Sequence, residues 1–189
     1  MSQSNLTAYI TPNGEIIRTL PIMIKYNAET GKVYAVDENN GRIYTFTELE
    51  DLANKGDPAA QCAMGDNCNS EYVNDFSKAF EWYKKSAEKN YGRALWNIAT
   101  FYTVGVERPG FTVTKNLDEA IKYYEKSAKQ GYLESMLTLG QIYTSFTDDY
   151  AKAVHWLEKA DKLGHLEAYK HLETAKMLQM GKDLGIPGV

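Results

Sequence analysis

Over residues 6–46, short runs rich in β-branched and aromatic residues alternate with turn clusters, the pattern of antiparallel strands. The turns are Pro12-Asn13-Gly14, Ala28-Glu29-Thr30-Gly31 and Asn39-Asn40-Gly41. Asn40-Gly41 is the sharpest hairpin signal, because both residues tolerate the positive φ that a tight turn requires. It joins Val33-Tyr34-Ala35-Val36 to Ile43-Tyr44-Thr45-Phe46. Pro21 has no N–H to give to a ladder, so the run over residues 16–26 is an edge strand or breaks at that point. A three- or four-stranded meander is predicted. About 40 residues bury too little apolar surface to stand alone, so the sheet is expected to dock on the rest of the chain.

Beyond Phe46 the strand signals stop, helical spacing takes over, and the pattern repeats. Ala79-Phe-Glu-Trp82-Tyr83-Lys-Lys-Ser86-Ala87 matches Ala120-Ile-Lys-Tyr123-Tyr124-Glu-Lys-Ser127-Ala128, and again Ala153-Val-His-Trp156-Leu157-Glu-Lys-Ala160-Asp161. The copies lie 41 and then 33 residues apart, a period that indicates stacked helical hairpins. Asn90, Gly131 and Gly164 each follow three residues after a copy, as Gly56 follows Ala53, and residues of these types end helices in the left-handed conformation. Asp57-Pro58 reads as an N-cap with proline at the first helical position. Asp75, Asn116 and Asp149 are N-cap types that open each second helix, and Asn116-x-x-Glu119 resembles a capping box. Small residues form two columns, Ala60, Ala94, Ser135, Ala168 and Gly65, Ala99, Gly140, as tightly packed helix pairs require.

In the same register Phe46, Leu49, Leu52 and Ala53 fall where Phe80, Tyr83, Ser86 and Ala87 fall one unit later, with Thr47-x-x-Glu50 as the cap. The helical region thus opens on a lone second helix, with the β segment in place of its missing first helix. Eight helices are expected, the last a lone first helix over residues 166–180 that caps the other end. The predicted organisation is a β meander over 1–46, a repeat region over 47–180 and a flexible tail over 181–189.

The segments Ala-x-x-Trp/Tyr-Tyr/Leu-x-Lys-Ser/Ala followed by Gly, together with Leu139-Gly140-Gln-Ile-Tyr143, resemble Sel1-like repeats, relatives of the tetratricopeptide repeat, over about residues 46–178. The resemblance implies a mainly α fold: a short right-handed α-solenoid of helix-turn-helix repeats, here with a small N-terminal antiparallel β cap. Residues 105–115 make a longer connection than their counterparts, which marks the middle unit as specialised.

Composition narrows the function. The chain has 189 residues and is 43% apolar, with 21 Lys+Arg against 25 Asp+Glu. Its net charge of −4 argues against a nucleic-acid binder, and no run is long and apolar enough to span a membrane. Two cysteines, Cys62 and Cys68, and no export signal point to a cytoplasmic protein. Exported Sel1-like proteins often staple each hairpin with a Cys pair, and the later units here have none. No phosphate loop, His-Glu-x-x-His, nucleophile elbow or Cys-x-x-Cys occurs, so neither catalysis nor a cofactor or metal is expected. His155, His165 and His171 read as ordinary surface or interhelix residues. An enzyme, or its regulatory subunit, with a site between sheet and first helices would draw on Glu15, Asp37, Glu38 and Glu48, which all fall at or near turns where solvation explains them.

The aromatics are more informative. Trp82, Tyr123 and Trp156 recur at one position and are assigned to packing between units, as are Tyr102 and Tyr143. Trp96 aligns with Cys62, Leu137 and Lys170, so the repeat does not demand Trp there. By the register of the tetratricopeptide relatives it faces the concave surface. That register assigns partner binding to Arg93, Trp96 and Thr100, then Glu134, Leu137 and Gln141, then Lys170 flanked by Glu167 and Thr174. An apolar centre with a charged rim suits another protein as partner, Trp and Arg being favoured anchors. Packing of Trp96 under the 105–115 connection is the alternative. The resemblance further implies a non-catalytic interaction module, its most specific version a bacterial immunity protein that blocks a cognate toxin, its alternative an intracellular adaptor or signalling scaffold.

Overall fold

The computed structural model describes residues 7–10, 16–19, 21–27, 30, 32–38 and 40–186. The turns expected at 12–14 and, apart from Thr30, at 28–31 lie outside the described residues, as do Glu15, Asn39 and residues 187–189. β1 (Thr7–Ile10) pairs antiparallel with β2 (Ile16–Thr19), and β3 (Ile22–Asn27), β4 (Lys32–Asp37) and β5 (Ile43–Thr45) form a separate antiparallel sheet in that order. The run through Pro21 is therefore broken there, and the expected single meander is two small sheets. Asn40 and Gly41 do turn β4 into β5: Gly41 adopts a φ of 72° and its N–H bonds the Asp37 carbonyl at 2.8 Å.

Eight helices follow among the described residues: α1 (Phe46–Asn54), α2 (Pro58–Asn69), α3 (Phe76–Glu88), α4 (Gly92–Val104), α5 (Leu117–Lys129), α6 (Leu133–Ser145), α7 (Tyr150–Lys162) and α8 (Ala168–Asp183). Their ends are written in local chemistry. Asp57, Asp75, Asn116 and Asp149 each accept a hydrogen bond from the backbone N–H three residues on. The α1 cap lies two residues before the expected Thr47: Thr45 is the last extended residue (ψ 160°) and forms the reciprocal box with Glu48, whereas Thr47 is already helical and cannot cap. At the other end α8 continues through buried Gly181 to Asp183, so the segment expected as a tail starts as helix.

Two kinds of corner recur. Between a second helix and the next first helix the chain turns at Gly56, Asn90, Gly131 and Gly164, with φ of 91°, 56°, 86° and 85°. Within each hairpin one backbone bond closes the loop: Asp75 N–H to the Cys68 carbonyl (2.8 Å), Asn116 N–H to Tyr102 (2.8 Å) and Asp149 N–H to Tyr143 (3.1 Å). The long connection of the middle hairpin contains β6 (Val106–Arg108) and β7 (Phe111–Val113), an antiparallel pair turning at Pro109-Gly110. It lies on α3 and α4, with Phe111 against Phe80 and Phe101 and the Arg108 guanidinium over the Phe76 ring.

The chain divides into two compact units, one over residues 6–131 and one from Tyr132 onward. In the first, Ile22, Ala35 and Tyr44 of the sheet share a core with Leu49 and Ala53 of α1 and Ala60, Ala63 and Met64 of α2, so the sheet does dock on the first helices. A second core gathers Cys62, Ala79, Tyr83, Ala94, Ile98 and Phe101. In the other unit α6, α7 and α8 bury Leu139, Ile142, Trp156, Leu157, Leu172 and Ala175. The small columns do what close packing asks of them. A Cβ at Gly65 would lie 2.5 Å from the Tyr83 ring, and one at Gly140 would overlap Leu157, with Cδ2 at 2.5 Å. Buried serines add a repeated bond: Ser86 Oγ donates to the Pro58 carbonyl (2.7 Å) and Ser127 Oγ to that of Gly92 (2.6 Å), while Ala160 holds the same position in the third copy.

Candidate protein-binding surface

Arg93 and Asn97 lie one turn apart on α4, so both reach α2. Arg93 Nη2 stands 2.9 Å from Asp66 Oδ2, and Asn97 Nδ2 donates to Asp66 Oδ1 at 3.4 Å. Tyr83 of α3 donates its phenol to the same Oδ1 at 2.9 Å. Asp66 thus collects groups from two other helices while retaining 18% side-chain exposure. Burial raises its carboxyl above the usual range, against the lowering effect of Arg93, Tyr83 and Asn97. Burial, reinforced by the Asp66 charge, likewise holds the Cys62 thiol and the Tyr83 phenol firmly protonated. A thiol so placed is a packing group rather than a nucleophile. Cys62 and Cys68 are both buried and unlinked.

The Asp66–Arg93 pair forms one end of a cleft of about 260 Å³ between β3 and α2. Its walls are apolar, with Met23, Ile24 and Val33 on the sheet and Val73 after α2. Tyr26 and Tyr72 stack at 4.9 Å, both well exposed. The repeat register points to Arg93 but not to the cleft.

The other expected site residues lie on α4, α6 and α8. Trp96 is half-buried, and in the aligned column Cys62 and Leu137 are 1% and 7% exposed while Lys170 is open to solvent. Leu137 is thus a core residue that offers little surface. Thr100 bonds the Trp96 carbonyl (3.1 Å) and meets Tyr124 Oη of α5 (3.3 Å), which ties it to its own hairpin. The 105–115 connection packs on Phe76, Phe80 and Phe101. In the second unit, Gln141 of α6 meets His171 of α8 at 3.1 Å, and Glu134 meets buried His165 at 3.4 Å. His165 Nδ1 accepts the Glu167 N–H, which leaves Nε2 as the nitrogen that donates to Glu134. Gln141 with His171 repeats the register of Asp66 with Asn97. Among the described residues there is no group of three His, Cys, Asp or Glu able to hold a metal, and no helix long and apolar enough to cross a membrane.

The family model of the Sel1 repeat matches residues 58–91, 92–132 and 139–165, more than half the chain. The chain belongs to the Sel1 repeat family. A Sel1 repeat protein from Oxalobacter formigenes has 28% identity and a TM-score of 0.58, over 68% of this chain and 52% of its own. A protective antigen present in uropathogenic Escherichia coli strains, displaying an SLR fold, has 32% identity and a TM-score of 0.60, over 68% of this chain and 28% of its own. This chain therefore spans about half of the one and little more than a quarter of the other. A comparison with curated proteins finds no match. Sel1 repeats point to a protein–protein interaction module, and proteins built from them are in general non-catalytic.

Proposed function

We propose that this Sel1 repeat chain is a non-catalytic module that seats another protein on its first-helix residues. Arg93, Trp96 and Thr100 serve one unit, and Glu134, Gln141 and Lys170 serve the other, with Leu137 packed beneath them rather than offered to the partner. The observation that carries the reading is the β3–α2 cleft: an apolar hollow, exposed stacked tyrosines at its edge and an ion pair at its end. Aromatic anchors beside a partly desolvated Arg are the groups that dominate protein interfaces. The unlinked buried thiols support a cytoplasmic setting. The more specific form of the proposal is an immunity protein that blocks a toxin, with the adaptor as its alternative; co-expression with the product of a neighbouring toxin gene separates them by cell survival.

The direct test places a photo-crosslinking phenylalanine derivative at Tyr72, identifies the captured protein by mass spectrometry, and titrates it in purified form. Trp96→Ala and Tyr72→Ala are expected to weaken binding by about 2 kcal/mol or more each, with the fold intact by circular dichroism. Full-strength binding by both variants would remove this face from the function.

A further inference from the structure

Helix α8 carries large apolar residues on two sides. Its inner side buries Leu172 and Ala175 against the helices before it. Its outer side shows Tyr169, Met177 and Met180, with Leu166 and Leu184 just beyond its ends, all between 59% and 81% exposed. Exposed apolar residues grouped on one side of a helix, here with Glu173 and Lys176 between them, mark an interaction surface.

The repeat register says what does not cover it. In α6 the corresponding side is Met136, Gly140 and Tyr143, and the missing Cβ of Gly140 is what admits Leu157 of α7. In α8 the same positions hold Tyr169, Glu173 and Lys176. A glutamate where the hairpins hold the small residues Gly65, Ala99 and Gly140 bars a second helix from packing in the manner of α7, and two charges would be buried under it.

We infer that this side of α8 pairs with its own copy in a second chain, antiparallel. Tyr169, Glu173, Lys176 and Met180 are spaced by four, three and four residues and therefore form one seam. Read in the opposite direction the seam is its own complement. A two-fold axis passing between Thr174 and Ala175 sets Tyr169 against Met180 and Glu173 against Lys176, each pair twice. A thioether on a tyrosine ring is a favourable contact, and the two ion pairs fix direction, because a parallel pair would oppose Glu173 to Glu173. Lys176 already stands 3.6 Å from Glu158 of α7, so in the pair it lies between two carboxylates. Leu166, Met177 and Leu184 flank the seam and widen its apolar margin. The inference is independent of the β3–α2 cleft.

Sedimentation equilibrium of the whole chain tests it. The expected result is a concentration-dependent dimer that Met180→Asp weakens by about tenfold or more. Glu173→Lys and Lys176→Glu should each weaken it by at least about tenfold, and the double swap should restore it. Circular dichroism melts check that each variant is folded; should Glu173→Lys disturb the helix, Glu173→Gln removes the charge at constant size and should still weaken the pair. A chain that stays monomeric up to its solubility limit overturns the inference, as does a double swap that dimerises no better than either single variant. A stripe that captures only a different protein overturns it equally.

Discussion

Gly140→Ala sets two well-measured effects against each other. In an ordinary helix interior the change stabilises by about 0.5–1 kcal/mol, because glycine gives up more backbone freedom on folding. Here the added methyl would overlap Leu157 Cγ, with Cδ2 at 2.5 Å and Cδ1 at 2.9 Å. All three branch atoms are too close, so no rotation of the fork removes the conflict, and α6 and α7 must separate or Leu157 must leave its rotamer. Overpacking of this kind costs about 1–3 kcal/mol, and the rigid surroundings of a fully buried leucine argue for the upper half. The net expectation is a loss of about 1–2 kcal/mol after the propensity gain. Urea unfolding followed by far-ultraviolet circular dichroism measures it. Leu157→Ala alone should cost about 2–5 kcal/mol by leaving a cavity, and in the double variant the new methyl partly fills that cavity. The double variant should therefore lose clearly less than the sum of the two singles. Gly65→Ala should behave in the same direction, since the Tyr83 ring it meets is tethered by its bond to Asp66. A neutral or stabilised Gly140→Ala, or strict additivity with Leu157→Ala, would refute the reasoning.

Ser127→Ala should cost about 0.5–1.5 kcal/mol by removing the buried hydrogen bond that Ser127 Oγ donates to the Gly92 carbonyl, read as a shift in the urea midpoint at constant slope. Trp156→Ala should cost about 3–5 kcal/mol, since Trp156 is nearly fully buried. Trp82→Ala should cost less, because Trp82 is only partly buried, at the core margin under Lys85, and its neighbour Tyr83 is the deeper residue; equal melting shifts would contradict this. Asp66 titrates above the usual carboxylate range in the folded chain, so the folded state holds its proton where the unfolded state has lost it. Its contribution is present below the unfolded value and fades as pH rises through the folded one. The stability of the wild type relative to Asp66→Asn should therefore grow on acidification through that window; a gap that shrinks instead would mean that Arg93 dominates.

The repeat itself was legible because its punctuation is local chemistry. Asn90, Gly131 and Gly164 take the left-handed conformation their types favour, and Asp75, Asn116 and Asp149 cap as short polar side chains do. The depth of the aromatics was less so. Trp82 draws attention by size, yet the residue opposite glycine is Tyr83, and pairing the Gly65 column with its facing position would have ranked the two. The hairpin over residues 106–113 carried a signal too, Pro109-Gly110 between β-branched and aromatic residues, that the helical register obscured. The Asp66 cluster left a fainter trace: an acid in a column otherwise filled by Thr100, Gln141 and Thr174. Its partners Tyr83, Arg93 and Asn97 come from two later helices, and only the packing of α2, α3 and α4 brings them to one carboxylate. The β3–α2 cleft is likewise a tertiary product, since nothing in the spacing of Tyr26 and Tyr72 announces that they stack.

The bond that closes each hairpin makes loop length a free variable. Its partners lie six positions apart in the third hairpin, seven in the first and fourteen in the middle one, yet the second helix is entered through the same N–H-to-carbonyl contact each time. Ring closure charges such an insertion only logarithmically, and the β6–β7 insert recovers more than that through Phe111 and Val113. The middle hairpin is therefore a socket: its neck is clamped at Asn116 and Tyr102, and the segment that hangs from the neck can be exchanged. A segment of similar length grafted between Gly105 and Lys115 that keeps apolar residues at positions 111 and 113 would inherit a fixed take-off point, so an epitope, a reporter or a second recognition loop could be displayed at its tip while the register of the helices on either side stays as it is.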